Sequence, residues 1–358
     1  MLKTKIALVH DYLCNKAGSE RVFQYMCEAF PEADVYTLAY NPSKTFPYFE
    51  SRRVRTTWLN SWVQSSSMFN WLFPIATHVM EHLDLSGYDL IISSSATTAK
   101  YLNARNAFHI CYCYIPTRAL WHFEEYFGQG LKTEMVKLFL PYLKKRDWKA
   151  AQKVGTFLTL SKKSQAYIQE YYGRDADILP CPIDTDKFVP ASTSERSSHY
   201  LIISRLERWK KIDYAIEAFN QLGLPLKVIG AGSDFNRLQA LAKDNISFLG
   251  EVNDDALVQA YQECKAIIFT PFLEYGLIPL EANASGTPVI GYGYGGIEET
   301  MTEKTALFFY EQTPQALIAA VQKFEKMEFD SQHLREHALK WSIPAFKARF
   351  REQVLEKL

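Results

Sequence analysis

Residues 271–300 read PFLEYGLIPLEANASGTPVIGYGYGGIEET, a stretch suited to an anionic, hydroxyl-rich ligand. Gly276 gives the backbone room to approach such a ligand. The peptide groups of Leu277 and Ile278 then open a helix, and their free N–H groups suit phosphate and sugar oxygens. Glu281 lies one helical turn further on, and a carboxylate can accept two hydrogen bonds from a vicinal diol. Upstream, ISRLERWKKIDYAIEAF places Arg205 and Lys210 between a strand end and a helix start. Two cations beside a positive helix end make a diphosphate clamp. An isolated R-x4-K is more often a pair of solvated charges, so this reading needs its context. VIGAGSDFNRL adds Gly230 and Gly232, which would let the backbone approach a nucleotide; G-x-G alone is a weak signal. Near the amino terminus, His10-Asp11 ends an apolar run, and Ala17-Gly18-Ser19-Glu20 opens a helix whose first N–H groups, at Gly18 and Ser19, are free for an anion.

These residues need a scaffold of strands and crossover helices. Short apolar runs alternate with helical patterns, the signature of parallel sheets. KIALVH, DVYTLAY, DLIISSS, HICYCYI and GTFLTLS read as strands of one series. YLIISR, LKVIG, ISFLG, AIIFT, PVIGY and ALFFY read as strands of a second. Residues 191–200, ASTSERSSHY, are the linker candidate. The pattern predicts an α/β protein with two Rossmann-like, doubly wound domains facing each other across a cleft. The first spans 1–190, with a C-terminal helix at about 342–358 packing back on it. The second spans 198–341. Ligands of such sheets bind at the carboxyl ends of the strands.

The 358 residues suit two domains, and 47% hydrophobic with 22% charged residues is an ordinary globular profile. Forty basic residues balance forty acidic ones, which removes a global field for nucleic acid. Six scattered cysteines form no C-x-x-C pair and read as reduced, buried thiols. Ile6–Val9 is too short for a signal-peptide core, and no run approaches a membrane span. The expected location is the cytoplasm, with the inner membrane face as the other candidate.

The motifs together resemble the retaining glycosyltransferases of family 4, which have the GT-B fold. The similarity runs from VHDYL to the last helix. The closest subgroup is bacterial enzymes that add mannose or a similar sugar to lipid-linked O-antigen or capsule precursors. It implies a nucleotide-diphosphate sugar as donor, a glycan or polyprenyl-linked acceptor, and no metal or cofactor. Arg205 and Lys210 would hold the diphosphate, Glu281 the ribose, and Gly250, Glu251 and Val252 the base. Asp184 and Asp186 mimic a D-x-D metal motif, but in this family that segment is a structural turn.

Two positions depart from the family. The first of its paired glutamates falls on Leu273 here, with Glu274 one place late. The histidine beside the donor sugar falls on Tyr114, whose ordinary pKa of about 10 suits a hydrogen bond better than proton transfer. Glu274 and Tyr114 are the residues assigned to the sugar pocket. His109 and His122 read as structural. The departures keep a second reading open, a nucleotide-sugar-binding partner subunit with weakened catalysis. A nucleotide-sugar epimerase ranks last, for want of paired catalytic acids.

Two further segments combine aromatic and basic residues. Residues 56–76 carry Trp58, Trp62, Phe69, Trp71 and Phe73. Residues 137–153 carry Lys144, Lys145, Arg146, Lys149 and Lys153. They fit peripheral attachment to an anionic membrane and equally fit core packing beside a solvated face.

Overall fold

A computed structural model describes residues 4–63, 65–124, 137–191 and 197–358, and it omits the side chains at 66, 67, 70 and 71. The chain forms two compact units, one of Met1–Pro180 with Phe346–Leu358 and one of Cys181–Ala345.

The first unit holds seven parallel strands: β1 (Ile6–His10), β2 (Asp34–Thr37), β3 (Val54–Arg55), β4 (Leu90–Ser95), β5 (Phe108–Cys113), β6 (Thr156–Thr159) and β7 (Ala176–Ile178). Their order is β3-β2-β1-β4-β5-β6-β7. The second holds six: β8 (Tyr200–Ile203), β9 (Leu226–Ile229), β10 (Ile246–Gly250), β11 (Ile267–Phe269), β12 (Val289–Tyr292) and β13 (Ala306–Phe309). Their order is β10-β9-β8-β11-β12-β13. This pair of doubly wound sheets is the GT-B architecture. The apolar runs form strands because helices cover both sheet faces, so β1 and β4 are buried at every position. The edge strands β3 and β7 have two and three residues, too short for a pattern to reveal.

Strand order reverses between β1 and β4, and again between β8 and β11. In doubly wound sheets such a reversal is where neighbouring loops part and ligands bind, at the carboxyl ends of the strands. Helices Gly18–Ala29 and Leu277–Ala284, which follow β1 and β11, start without a side-chain cap. By contrast, Ser161, Asn253 and Thr313 cap helices elsewhere.

The unit boundary falls at Pro180/Cys181, ahead of the expected 190. The reason is packing: Ile183 and Phe188 are buried in the second unit's core with Tyr261 and Leu280. Of the expected linker, 192–196 lie outside the described residues. Helix Ile343–Leu355 buries Phe346, Phe350 and Val354. Phe350 meets Phe30 edge-on at 5.6 Å, and Lys347 pairs with Glu28 at 3.0 Å.

His109, on β5, is buried, with Nε2 2.8 Å from Ser93 Oγ and Nδ1 without a partner. Burial lowers its pKa to about 4. The unfolded chain takes up this proton near pH 6.5 and the folded one only near 4, so stability falls as pH drops through that window. The shift corresponds to about 3 kcal/mol. Urea titrations between pH 7 and 4 should show this slope, and His109→Gln should flatten it. Equal slopes in both proteins would rule out the assignment.

Candidate nucleotide-sugar site

Arg205 and Lys210 lie in the loop after β8. A single 3-10 turn, Arg208–Lys210, and a left-handed Lys211 connect this loop to helix Ile212–Leu222. Arg205 is exposed and Lys210 is buried. Their cationic groups sit 5.8 Å and 4.2 Å from the centre of the Trp209 ring, so one indole gathers both charges. Thr270, at the end of β11, donates to the Lys210 carbonyl at 2.8 Å. The Thr270 carbonyl accepts from Tyr214 Oη at 2.8 Å and Gln312 Nε2 at 3.1 Å. Thr270 thereby ties the loops after β8, β11 and β13 together.

Gly230 and Gly232 serve this loop. A Cβ on Gly230, where φ is +131°, would stand 1.9 Å from the Ser204 carbonyl oxygen. A Cβ on Gly232 would stand 2.3 Å from the Leu206 carbonyl oxygen. The close approach expected toward a nucleotide is made to the chain's own backbone, on either side of Arg205. The contact continues as Ser204 N–H to Ile229 O at 3.0 Å and Leu206 N–H to Ala231 O at 2.9 Å.

Gly276 precedes helix Leu277–Ala284, so the first-turn N–H groups of Leu277 and Ile278 point along the helix axis toward the carboxyl ends of the strands. A Cβ on Gly276 would press on Phe269 at 3.2 Å and Pro279 at 3.3 Å. Glu281 is half-buried, and Tyr261 donates to its Oε2 at 2.7 Å. Burial, with Glu281 adjacent, pushes the Tyr261 phenol well above its ordinary pKa, so it stays a donor and fixes the carboxylate.

The 273–276 loop is held from outside. Leu273 O accepts from Gly296 N at 2.7 Å, and Tyr275 Oη donates to Cys181 O at 2.9 Å. Leu273 packs against the core cluster, and Glu274 is half-buried. Gly250 ends β10 with φ +67°, and Glu251 and Val252 follow it, the first exposed and the second resting on the core. Asp184 forms a turn, accepting from Lys187 N at 3.0 Å.

In the first unit, Tyr114 is buried and its hydroxyl is engaged. It donates to the Ser19 carbonyl at 2.9 Å and lies 2.9 Å from Ser94 Oγ. Ser94 Oγ in turn lies 3.0 Å from His10 Nδ1. Because Tyr114 uses its proton on a carbonyl, Ser94 must donate to Tyr114, and His10 must carry hydrogen on Nδ1. The chain His10–Ser94–Tyr114–Ser19 fixes the first turn of the Gly18–Ala29 helix. Gly18 itself stands in open space. Asp11 accepts four backbone N–H groups, from Ala96 to Ala99, at 2.6–2.9 Å, and so shapes the loop after β4.

Sequence comparison matches residues 184–341 to the family described as glycosyl transferases group 1. That match covers nearly the whole second unit. An uncharacterized glycosyltransferase of Methanocaldococcus jannaschii is 28% identical over 134 residues, 34% of each chain. The alpha-1,3/1,6-mannosyltransferase ALG2 of Mus musculus is 26% identical over 193 residues, 47% of this chain and 46% of that protein. The chain thus spans a third to a half of these relatives. Sucrose-phosphate synthase from Thermosynechococcus elongatus superposes with TM-score 0.75 at 16% identity, covering 99% of both chains. HepE from Anabaena in complex with UDP gives 0.73 at 16% identity, covering 99% of this chain and 100% of that one.

Within the second unit, Arg205 and Lys210 come together on one loop, and Gly276 to Glu281 on the neighbouring one across the β8/β11 reversal. Trp209, Tyr261 and Thr270 escaped the sequence reading, since each sits in an ordinary context with no spacing of its own. Outside that unit, the two aromatic and basic segments split. Phe69 and Phe73 are buried, while Trp58 and Trp62 are exposed; the side chain of Trp71 lies outside the described residues. Lys145, Trp148 and Lys149 are exposed, whereas Arg146 and Lys153 pair with Glu81. Among the described residues no helix is long and apolar enough to cross a membrane.

Proposed function

We propose that the protein is a retaining glycosyltransferase that moves a hexose, such as mannose, from a nucleotide-diphosphate sugar to a glycan or lipid-linked acceptor in surface polysaccharide synthesis. One observation carries this reading: the Arg205–Trp209–Lys210 cluster stands beside the uncapped helix of Gly276–Glu281 in the unit that matches the group 1 family. Two cations and a helix N-terminus favour a diphosphate. HepE of Anabaena was solved with UDP and glucose, which supports a nucleotide sugar as the ligand class.

In the reaction, the acceptor oxygen bonds the anomeric carbon on the face from which the C1–O bond to diphosphate breaks. The acceptor proton passes to the departing diphosphate oxygen. The enzyme's main task is then to stabilise the leaving group, and Arg205, Lys210 and the Leu277 and Ile278 N–H groups do so. Glu281 binds the ribose and Glu274 the sugar hydroxyls. Gly250 to Val252 support the base. Tyr114 acts through Ser19 instead of shuttling a proton. The exposed Trp148 with Lys145 and Lys149 fits contact with an anionic membrane face.

Calorimetry against UDP, GDP, UDP-glucose and GDP-mannose, followed by NMR of the product anomer, tests the reading. Losing a hydrogen bond to a charged group costs about 1.5–3 kcal/mol, roughly 10- to 100-fold in affinity. Lys210→Ala should show a loss of that size for the best nucleotide, and Glu281→Gln a smaller one. No binding by the unaltered protein would refute the proposal. Binding without turnover would favour the partner-subunit reading, which the engaged Tyr114 hydroxyl and Leu273 support.

A further inference from the structure

We propose that Phe272, Tyr294 and Tyr310 form a platform for a pyranose ring at the carboxyl edge of the second unit. The inference rests on the nucleotide-sugar reading and adds to it the surface that receives a sugar. The three rings come from the ends of adjacent strands β11, β12 and β13, and all are exposed, at 42%, 45% and 55%. A short glycine-rich stretch collects them. A Cβ on Gly293 would stand 2.6 Å from Tyr310 Cε1, and one on Gly295 would stand 3.3 Å from the Phe272 ring. Tyr294, between these glycines, meets Tyr310 edge-on at 5.5 Å. Tyr292 and Phe309 support the cluster from below, with Tyr292 5.3 Å from Tyr294 and 5.9 Å from Phe309.

Order along the sheet gives the platform its meaning. The residues assigned to the base lie at the end of β10, the cations follow β8, and the helix of Gly276–Glu281 follows β11. A nucleotide lying along this edge sends whatever hangs from its second phosphate toward β12 and β13, where the rings stand. Large exposed aromatic rings gathered at one site mark a binding surface. A pyranose has one face of C–H groups that packs on a ring face, while phenol hydroxyls can reach its oxygens. Glu274 borders the same place: a Cβ on Gly296 would meet its carbonyl oxygen at 2.6 Å.

The sugar is either the donor's own hexose or the acceptor's, and one set of measurements separates them. Methyl α-D-glucopyranoside and methyl α-D-mannopyranoside are the free-sugar probes, examined by saturation-transfer NMR with UDP or GDP present. The nucleotide affinity and the ratio of nucleotide-sugar to nucleotide affinity are measured on the same samples. An acceptor platform gives transfer to the glycosides' ring protons that drops at least fivefold in Tyr294→Ser/Tyr310→Ser. A donor platform instead gives a fall of at least fivefold in the affinity ratio. Either result supports the proposal, provided Tyr294→Phe/Tyr310→Phe keeps most of the effect. Nucleotide affinity itself should not change in either variant. If neither quantity differs between the unaltered and serine proteins while nucleotide still binds, the platform is refuted. If no nucleotide binds the unaltered protein, the functional reading fails instead.

Discussion

Replacing Asp147 with alanine is expected to cost about 3–5 kcal/mol of folding stability, the penalty for stranding one partner of a buried ion pair. Asp147 sits mid-helix in Leu140–Gln152 and is fully buried. Lys100 lies 2.8 Å away, also buried. The carboxylate further accepts from Tyr101 Oη at 2.8 Å, Trp121 Nε1 at 2.8 Å and Tyr172 Oη at 2.6 Å. Lys100 spends two more protons on Thr97 O and Thr117 Oγ1, both at 2.7 Å. Burial opposes the lysine charge, but Asp147 and other anionic neighbours outweigh it and raise the Lys100 pKa. Alanine would leave an unmatched ammonium, and Tyr101, Trp121, Tyr172 and Thr117 would lose their shared acceptor. An apolar pair, Lys100→Met with Asp147→Leu, should recover the part of the loss that comes from the stranded charge, while the orphaned donors keep the rest. Urea unfolding reads both values. A loss below 1 kcal/mol for the single variant would show that water or another group already satisfies Lys100.

Gly232→Ala is expected to destabilise the second unit by about 3 kcal/mol or more and to cut nucleotide affinity at least tenfold. The added methyl meets the Leu206 carbonyl oxygen at 2.3 Å, its carbon at 2.6 Å and its nitrogen at 2.7 Å. All three are backbone atoms, so no rotamer change relieves the contact, and the loop carrying Arg205 must move. Gly230→Ala should be worse, since it adds a φ of +131° to a 1.9 Å contact. Gly223→Ala is the control. It has φ +66° with open space around it, and should cost only about 1 kcal/mol with affinity unchanged. Urea titration and calorimetry on the three variants check the ranking. Equal losses at Gly232 and Gly223 would mean that the loop yields freely.

Much of the scaffold was legible because strands buried on both faces must be apolar throughout. Runs such as KIALVH and AIIFT can scarcely be anything else between helical patterns. The Arg205–Lys210 and Gly276–Glu281 segments were legible through their placement at strand ends. Direction was not. The same G-x-G suits a nucleotide or the chain's own loop, and only the fold shows Gly230 and Gly232 against Ser204 and Leu206. The same tyrosine suits a sugar or a carbonyl, and Tyr114 meets Ser19. Asp147 was hidden in KKRDWK, where it looks like one charge among solvated neighbours. Its partner is 47 positions earlier, a separation that no local pattern encodes.

The path of the last helix carries a consequence for synthesis. Phe346, Phe350 and Val354 complete the first unit, yet the ribosome makes them only after about 165 residues of the second unit. At roughly 5–20 residues per second, the groove beside Phe30 stays uncovered for roughly 10–30 s on every nascent chain. The unit translated first is therefore the one finished last. During that interval its exposed apolar groove is the natural target for a chaperone or for aggregation.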